Sequence, residues 1–334
     1  MYKIVVNAFG GSDQLSVVEA PELTPDRDQV LVRLTSIGMN HADLMARRGE
    51  YRLISGVPPF TPGIEGGGYI ETIGDRVTDR YVGQRISLSL DAPASNGLGR
   101  GTYQSHYLVA AKQTIPVPDE IPDELIGALW YSYLTAWGCL IGKQKLQSGQ
   151  TVLIPAASSS VAIAASEIVK HYGGIAIGTT TSPEKVEKLR SMPAAQFDYL
   201  VDASNPQWWR EVKQITAGKG VDVIFDPVAA GEFLNQEIRL IANGGNIWIY
   251  GLLGKADVVD VSPLIRKGAA IRGWLVNELS GTVLEQPAYQ HILECLANGT
   301  YQLPVAATFS LRNVRHAHEA MEKGEHISKL ILIP

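Results

Sequence analysis

Residues 152–185, VLIPAASSSVAIAASEIVKHYGGIAIGTTTSPEK, decide the fold. The segment TVLIPA is apolar throughout and has the length of a strand. A run of small residues follows, then SVAIAASEIVKHYGG with apolar residues at helical spacing, then a second apolar strand, IAIGTT. Strand, tight turn, helix and strand in that order form the first half of a dinucleotide-binding unit, whose turn normally reads G-x-G-x-x-G. Ala157, Ser159 and Ala162 stand at the three glycine places. None is bulky, so the tight turn, the approach of backbone to a pyrophosphate and the helix–strand packing are strained rather than abolished. The hydroxyls of Ser158, Ser159 and Ser160 add donors at the helix N-terminus, where unpaired N–H groups and the dipole already favour an anion. Val161 is counted with them in that first turn. Serine is also a good N-cap, so a purely structural reading of the run stays open.

The end of the second strand bears on the choice of nucleotide. An Asp or Glu about 20 residues past the turn would hold the ribose hydroxyls of NAD. Thr180 stands there instead, followed by Ser182 and Lys185. A carboxylate would repel a 2′-phosphate, whereas hydroxyls and an ammonium attract one. The expectation is NADPH, with a solvated lysine in an ordinary first helical turn as the alternative for Lys185.

Working outward, strict alternation continues after Thr151. Strands DYLVDA, VDVIFDP and NIWIYG, and a further strand AAIRGWLV, are separated by helices such as PQWWREVKQITAGKG and GEFLNQEIRLIANGG. Short, wholly apolar strands between amphipathic helices indicate a parallel sheet covered on both faces. Residues 1–120 differ. Short alternating runs (KIVVNA, QVLVRLTSIG, GYIETIG, YQSHYLVAA) are punctuated by Gly, Pro and Asp, with one helix at NHADLMARRGEY, and from Pro122 the texture changes to helices, PDELIGALWYSYLTAWGCLIGKQKL. The final strand, KLILIP, has no place in the parallel sheet and is expected to return to the first domain.

The 334 residues suit two domains, and 45% hydrophobic with 19% charged residues is a globular composition. A net charge of −5 opposes a broad electrostatic footprint for nucleic acid or an anionic membrane. No apolar run approaches the roughly 20 residues of a membrane span, and MYKIVVNAFGG reads as a first strand without a signal-peptide layout. Two cysteines, Cys139 and Cys295, make no disulfide framework, so a reduced, cytoplasmic setting is expected.

The segments GMNHADLMARRGEY, PFTPGIEGGGYIETIG, GTYQSHYLVAA, LTAW, the 152–185 unit and KLILIP, in this order, span nearly the whole chain. In them the sequence resembles the zinc-independent branch of the medium-chain dehydrogenase/reductase superfamily, the quinone oxidoreductase and enoyl reductase group. The resemblance implies an α/β protein: a GroES-like, β-rich catalytic domain over residues 1–123, with 277–334 returning to it, and a Rossmann doubly wound parallel-sheet domain for NADPH over 124–276. It also implies a cleft between the domains and, commonly, a homodimer. Zinc-containing relatives use a Cys after the third strand, a Gly-His-Glu motif and a four-cysteine lobe. This chain has Met39-Asn40, Ile64 in GIEGG, and no cysteine before Cys139. A catalytic zinc needs about three protein ligands, so none is expected. His316 and His318, two apart on a helix, point in different directions.

The same resemblance supplies candidate residues. Asn40 stands at the family's active-site Asn, where its amide would donate to a substrate carbonyl or hold the nicotinamide; it also reads as a helix N-cap. Tyr51, in RRGEY, resembles the QGNY segment of mitochondrial enoyl-thioester reductases, whose Tyr protonates the product; an aromatic wall is the alternative. A phenol donates a proton or a hydrogen bond at neutral pH. Thr135 matches a threonine near the nicotinamide, and Gly251, Leu252 and Leu253 follow the fifth strand where relatives contact cofactor. Trp274 follows the sixth strand. Lys329 lies where the C-terminal segment approaches cofactor in relatives, or is simply solvated. Together these residues imply an NADPH-dependent reductase of quinones or α,β-unsaturated carbonyl compounds acting without zinc. The rivals are an enoyl-thioester reductase using Tyr51, and an NADPH-binding structural or regulatory protein.

Overall fold

Apolar four- to six-residue strands separated by amphipathic helices are buried by stacking the strands side by side and covering both faces. Residues Ser132–Tyr289 do this in the computed structural model, which describes the chain except Leu98 and Ala256 and the side chains of Leu53 and Ala94. The strands of this unit are β1 (Thr151–Ile154), β2 (Ile175–Thr180), β3 (Tyr199–Asp202), β4 (Val221–Asp226), β5 (Ile241–Ile249) and β6 (Ala270–Gly273). Helices α1 (Ser160–His171), α2 (Pro183–Arg190), α3 (Trp208–Ile215) and α4 (Gly231–Leu240) join the first five, and α5 (Ser262–Lys267) precedes the last. The sheet is parallel, in the order β3-β2-β1-β4-β5-β6. That is the dinucleotide-binding order, and the direction of winding reverses between β1 and β4, which opens a crevice at their carboxyl ends. Leu153, Ile177, Val201, Ile224 and Ile247 from the strands pack against Trp208, Val212, Leu234 and Ile238 from the helices.

One sequence expectation shifts here. The helix expected over GEFLNQEIRLIANGG ends at Leu240, and β5 starts at Ile241. The helix stops where Ile241 turns to extended backbone, and within β5 Gly244 takes a left-handed φ of 74° while a Cβ on Gly245 would lie 2.8 Å from the Asp222 carbonyl, so these glycines let β5 close on β4. The helices expected over PDELIGALWYSYLTAWGCLIGKQKL are a 3₁₀ turn at Asp123–Leu125, an α-helix at Trp130–Trp137 and a π turn at Gly138–Lys143.

The other unit, Met1–Tyr131 with Gln290–Pro334, is built on a seven-stranded sheet. Its long central strand, Gln29–Gly38, pairs with Gly67–Ile73, His106–Ala110 and the C-terminal strand Lys329–Ile333. The last pairing is antiparallel, Ile331 against Gly38 and Leu332 against Ile37, and the Met39 N–H donates to the Leu330 carbonyl at 3.0 Å. KLILIP therefore does return to the first unit, and the register carries Lys329 to the end of the central strand. Ile4, Val32, Leu34, Tyr103, Tyr107 and Leu332 lie in the core beneath.

Candidate functional site

The central strand of the first unit ends at a glycine. A Cβ on Gly38 would lie 2.4 Å from Glu65 Oε1, so only glycine lets the carboxylate tuck under the backbone there. Glu65 is 2% exposed and Lys329 1%. Lys329 Nζ donates to Glu65 Oε1 at 2.5 Å and to Asn40 Oδ1 at 2.9 Å, while Asn40 Nδ2 donates to the same Glu65 oxygen at 2.9 Å. The second Glu65 oxygen accepts the Tyr131 backbone N–H at 3.2 Å. Three polar side chains thus close a ring, and the amide of Asn40 is fixed with its oxygen toward the ammonium. The Asn40 amide nitrogen also donates to the Gly38 carbonyl at 3.3 Å. Lys329 is not the solvated lysine that the sequence left open.

Asn40 also precedes the helix His41–Arg48, and its backbone N–H donates to Asp43 Oδ2 at 2.8 Å. Asp43 is fully buried, and burial pushes its carboxyl up to about 7 despite the Asn40 N–H and the Lys329 charge. Asp43 therefore holds the base of Asn40 from behind. Tyr103, buried beside it, keeps its phenolic proton because of burial and the Asp43 charge. Tyr51 lies just before the short helix Arg52–Ser55. It is half-buried, burial raises its phenol, and its hydroxyl has no hydrogen-bond partner among the described residues. No described hydrogen bond joins Tyr51 to the Asn40–Glu65–Lys329 ring.

In the second unit the turn after β1 solves its missing glycines in a particular way. The left-handed residue is Ala156, at φ 51°, one place before the expected first glycine, at a cost of about 1–2 kcal/mol for a residue with a Cβ. Ala157 and Ala162 are completely buried, which leaves no room for larger side chains. Ser159 is the N-cap of α1, its hydroxyl accepting the Ala162 N–H at 3.1 Å. The structural reading of the serine run is thus realised at Ser159. The N–H groups of Ser160 and Val161, in the first helical turn, have no acceptor four residues back and point out of the helix end. Lys185 Nζ donates to Ser158 Oγ at 3.4 Å, so the first turn of α2 reaches back to the turn before α1. Ser182 caps α2 by accepting the Lys185 N–H at 3.4 Å, and Thr180 Oγ1 accepts the Ser182 N–H at 3.4 Å. Two helix N-termini, one ammonium and several hydroxyls with no carboxylate at Thr180 form a donor set that fits a phosphate-bearing dinucleotide.

The remaining predicted residues are spread along the same unit. Leu252 and Leu253 are exposed after β5, and Gly251 lies so close to Pro227 that a Cβ would be 2.9 Å from its carbonyl. Trp274 is 5% exposed; its indole donates to the Thr135 carbonyl at 2.8 Å, and its ring covers Gly138. Trp274 and Thr135 are therefore tied to each other, with the indole N–H already used.

Sequence reasoning passed over Glu65. The signal was present: one carboxylate in the run PGIEGGGY, where a buried charge demands a partner. Its partner, Lys329, stands 264 residues away, and no local pattern joins them.

Residues 26–119 match the alcohol dehydrogenase GroES-like domain, and residues 160–298 match the zinc-binding dehydrogenase family. A phenolphthiocerol/phthiocerol polyketide synthase polypeptide of Mycobacterium tuberculosis is 31% identical over 336 residues; the match covers 99% of this chain, which spans 15% of that protein's length. The 2-haloacrylate reductase of a Burkholderia species is 28% identical over 348 residues, covering 99% of this chain and 98% of its own. Escherichia coli quinone oxidoreductase complexed with NADPH has the same fold, with a TM-score of 0.87 over 100% of both chains at 22% identity.

The zinc in the second family's description does not fit the residues present. Met39 and Ile64, at two of the zinc-ligand places, are buried apolar side chains, and the Glu65 carboxylate is already held by an ammonium. Quinone oxidoreductases and an enoyl reductase share its fold, and with both domain families matched in order and a 2-haloacrylate reductase aligned from end to end the chain belongs to the medium-chain dehydrogenase/reductase superfamily.

Proposed function

We propose that the protein is an NADPH-dependent reductase of quinones or α,β-unsaturated carbonyl compounds that works without zinc. The observation that carries the cofactor choice is the Lys185–Ser158 contact at 3.4 Å, beside a strand end that has Thr180 where an acid would select NAD. A nicotinamide dinucleotide supplies hydride when bound. This chain's residues do the rest. Ser160 and Val161 offer backbone N–H groups to the pyrophosphate, and Lys185 with Ser158 and Ser182 offers charge and hydroxyls to a 2′-phosphate. Asn40, clamped by Lys329 and Glu65, offers one N–H to the acceptor's carbonyl oxygen, which gains negative charge as it is reduced.

Lys185→Ala is the test. NADPH affinity is expected to fall about tenfold to thirtyfold, roughly the 1.4–2 kcal/mol of one charge-assisted contact, with NADH affinity almost unchanged. Equal losses for the two nucleotides, measured by fluorescence titration, would remove the 2′-phosphate assignment.

A second reading, an enoyl-thioester reductase, is favoured by Tyr51, whose half-buried phenol retains its proton and lacks a partner among the described residues. The 31% match to a segment of a polyketide synthase points the same way. Tight NADPH binding without oxidation by any quinone, enone or enoyl-CoA would instead favour the non-catalytic binding protein.

A further inference from the structure

The strands of the first unit have an outer face, opposite the core. Side chains alternate along a strand, and paired residues of neighbouring strands share a face. Val30 and Val32 of the central strand, Tyr107 and Val109 of His106–Ala110, and Ile4 and Val6 of Tyr2–Val6 belong to the core. Gln29, Leu108 and Lys3 therefore stand on the outer face. The register agrees: Gln29 lies opposite Ala110, Leu31 opposite Leu108, and Lys3 bridges to Gln104. A cavity of about 430 Å³ opens on this face, lined by Lys3, Gln29, Gln104 and Leu108 together with Leu23 and Arg100. That volume is in the range of small-molecule sites.

Two cations meet no counter-charge there. Neither Lys3 nor Arg100 makes a side-chain hydrogen bond or ion pair with a described residue, and no aspartate or glutamate lines the cavity among the described residues. Arg47, Arg48, Arg80 and Arg85 of the same unit each meet a carboxylate. Arg100 is also fixed through its backbone neighbours. The Thr61 N–H donates to the Gly99 carbonyl at 2.8 Å, and the Gly101 N–H donates to the Thr61 carbonyl at 2.9 Å. A Cβ on Gly101 would lie 2.3 Å from the Pro62 carbonyl oxygen, so the chain passes there too closely for a side chain. Gln29 Oε1 accepts the Asp26 N–H at 3.1 Å, while its amide nitrogen carries no hydrogen bond to a described residue. Leu23 and Leu108 supply apolar wall beside these donors.

We propose that this cavity is a second ligand site, for a small organic carboxylate whose anionic group is held by Lys3 and Arg100 and whose apolar body lies against Leu23 and Leu108. The planar guanidinium matches a carboxylate with two parallel hydrogen bonds, and the lysine adds a point charge. The Gln29 amide nitrogen supplies a neutral donor. None of these residues belongs to the Asn40–Glu65–Lys329 ring: Gln29 opens the central strand, and the ring lies past its other end, Gly38. The site stands whether or not the nucleotide reading of the other unit does, since it shares no residue with it.

The test is calorimetric titration of the full chain with 3-phenylpropionate and with its neutral amide. The acid is expected to bind about tenfold more tightly than the amide. The double variant Lys3→Gln, Arg100→Gln is expected to weaken the acid at least about tenfold and the amide little. A control, Lys188→Gln with Lys219→Gln, removes two exposed cations of the other unit for the same change of net charge and should stay within about twofold of wild type. Nuclear Overhauser contacts from the phenyl ring to the methyls of Leu23 and Leu108 in wild type give a second readout that needs no variant. No binding of the acid up to about 10 mM overturns the proposal. So does equal affinity for acid and amide, or an equal loss in the two double variants, which would be an effect of bulk charge. Binding that persists in Lys3→Gln, Arg100→Gln, or that touches neither leucine, places the ligand elsewhere and also overturns it. If that variant fails to fold by circular dichroism, the acid–amide ratio and the leucine contacts decide.

Discussion

Lys329→Met is expected to lower the unfolding free energy by about 3–5 kcal/mol near neutral pH, the cost of leaving one member of a buried ion pair without its partner. The abandoned group is Glu65, 2% exposed, which keeps only the Asn40 amide and the Tyr131 N–H as donors. Urea unfolding of Lys329→Met beside wild type near neutral pH reads out the loss. The double variant Lys329→Met, Glu65→Gln should recover at least half of the loss, because an amide leaves no charge to compensate. A loss below about 1 kcal/mol near neutrality would show that the pair is not carrying a buried charge.

Tyr51→Phe is expected to slow reduction of an enone or enoyl thioester about 100-fold, a barrier increase of about 2.7 kcal/mol, while leaving quinone reduction within about threefold. The two acceptors differ in where the proton goes. Reduction of an enone ends with a proton on carbon, which is slow without a placed acid; a quinol's oxygen takes its proton readily from water. Tyr51 is suited to the first task, since burial raises its phenol above the ordinary value of 10 and it stays protonated at any physiological pH. A steady-state comparison of the two acceptor classes reads out the difference. Equal rates for Tyr51→Phe and wild type on enones would make Tyr51 a wall of the site. Equal losses on both classes would point to a packing role.

Much of the second unit was legible because parallel strands are apolar throughout and cannot hide. TVLI, IAIGTT and VIFD declare themselves by composition alone, and their alternation with helices fixes the sheet class. The end of α4 was not legible, because IRLIAN continues the helical spacing and only the approach of β5 to β4 ends it at Leu240. The turn after β1 shows a different limit. Substituted glycines were visible, but the residue that takes the left-handed conformation, Ala156, is set by how the chain leaves β1 and not by the motif's register. At the candidate site, Asn40 was readable from its place after a strand and before a helix. That Lys329 locks its amide was not, because strand pairing alone brings residue 329 to residue 38.

The most direct measurement is of initial rates of NADPH and NADH oxidation, with chelator present, against a benzoquinone, a cyclic enone, an alkenal and an enoyl-CoA. The residues at the ends of β1 and β2 predict oxidation of NADPH at least about tenfold more efficient than that of NADH with one or more of these acceptors, and no effect of the chelator. Oxidation of a simple alcohol by NAD, abolished by the chelator, would contradict the account.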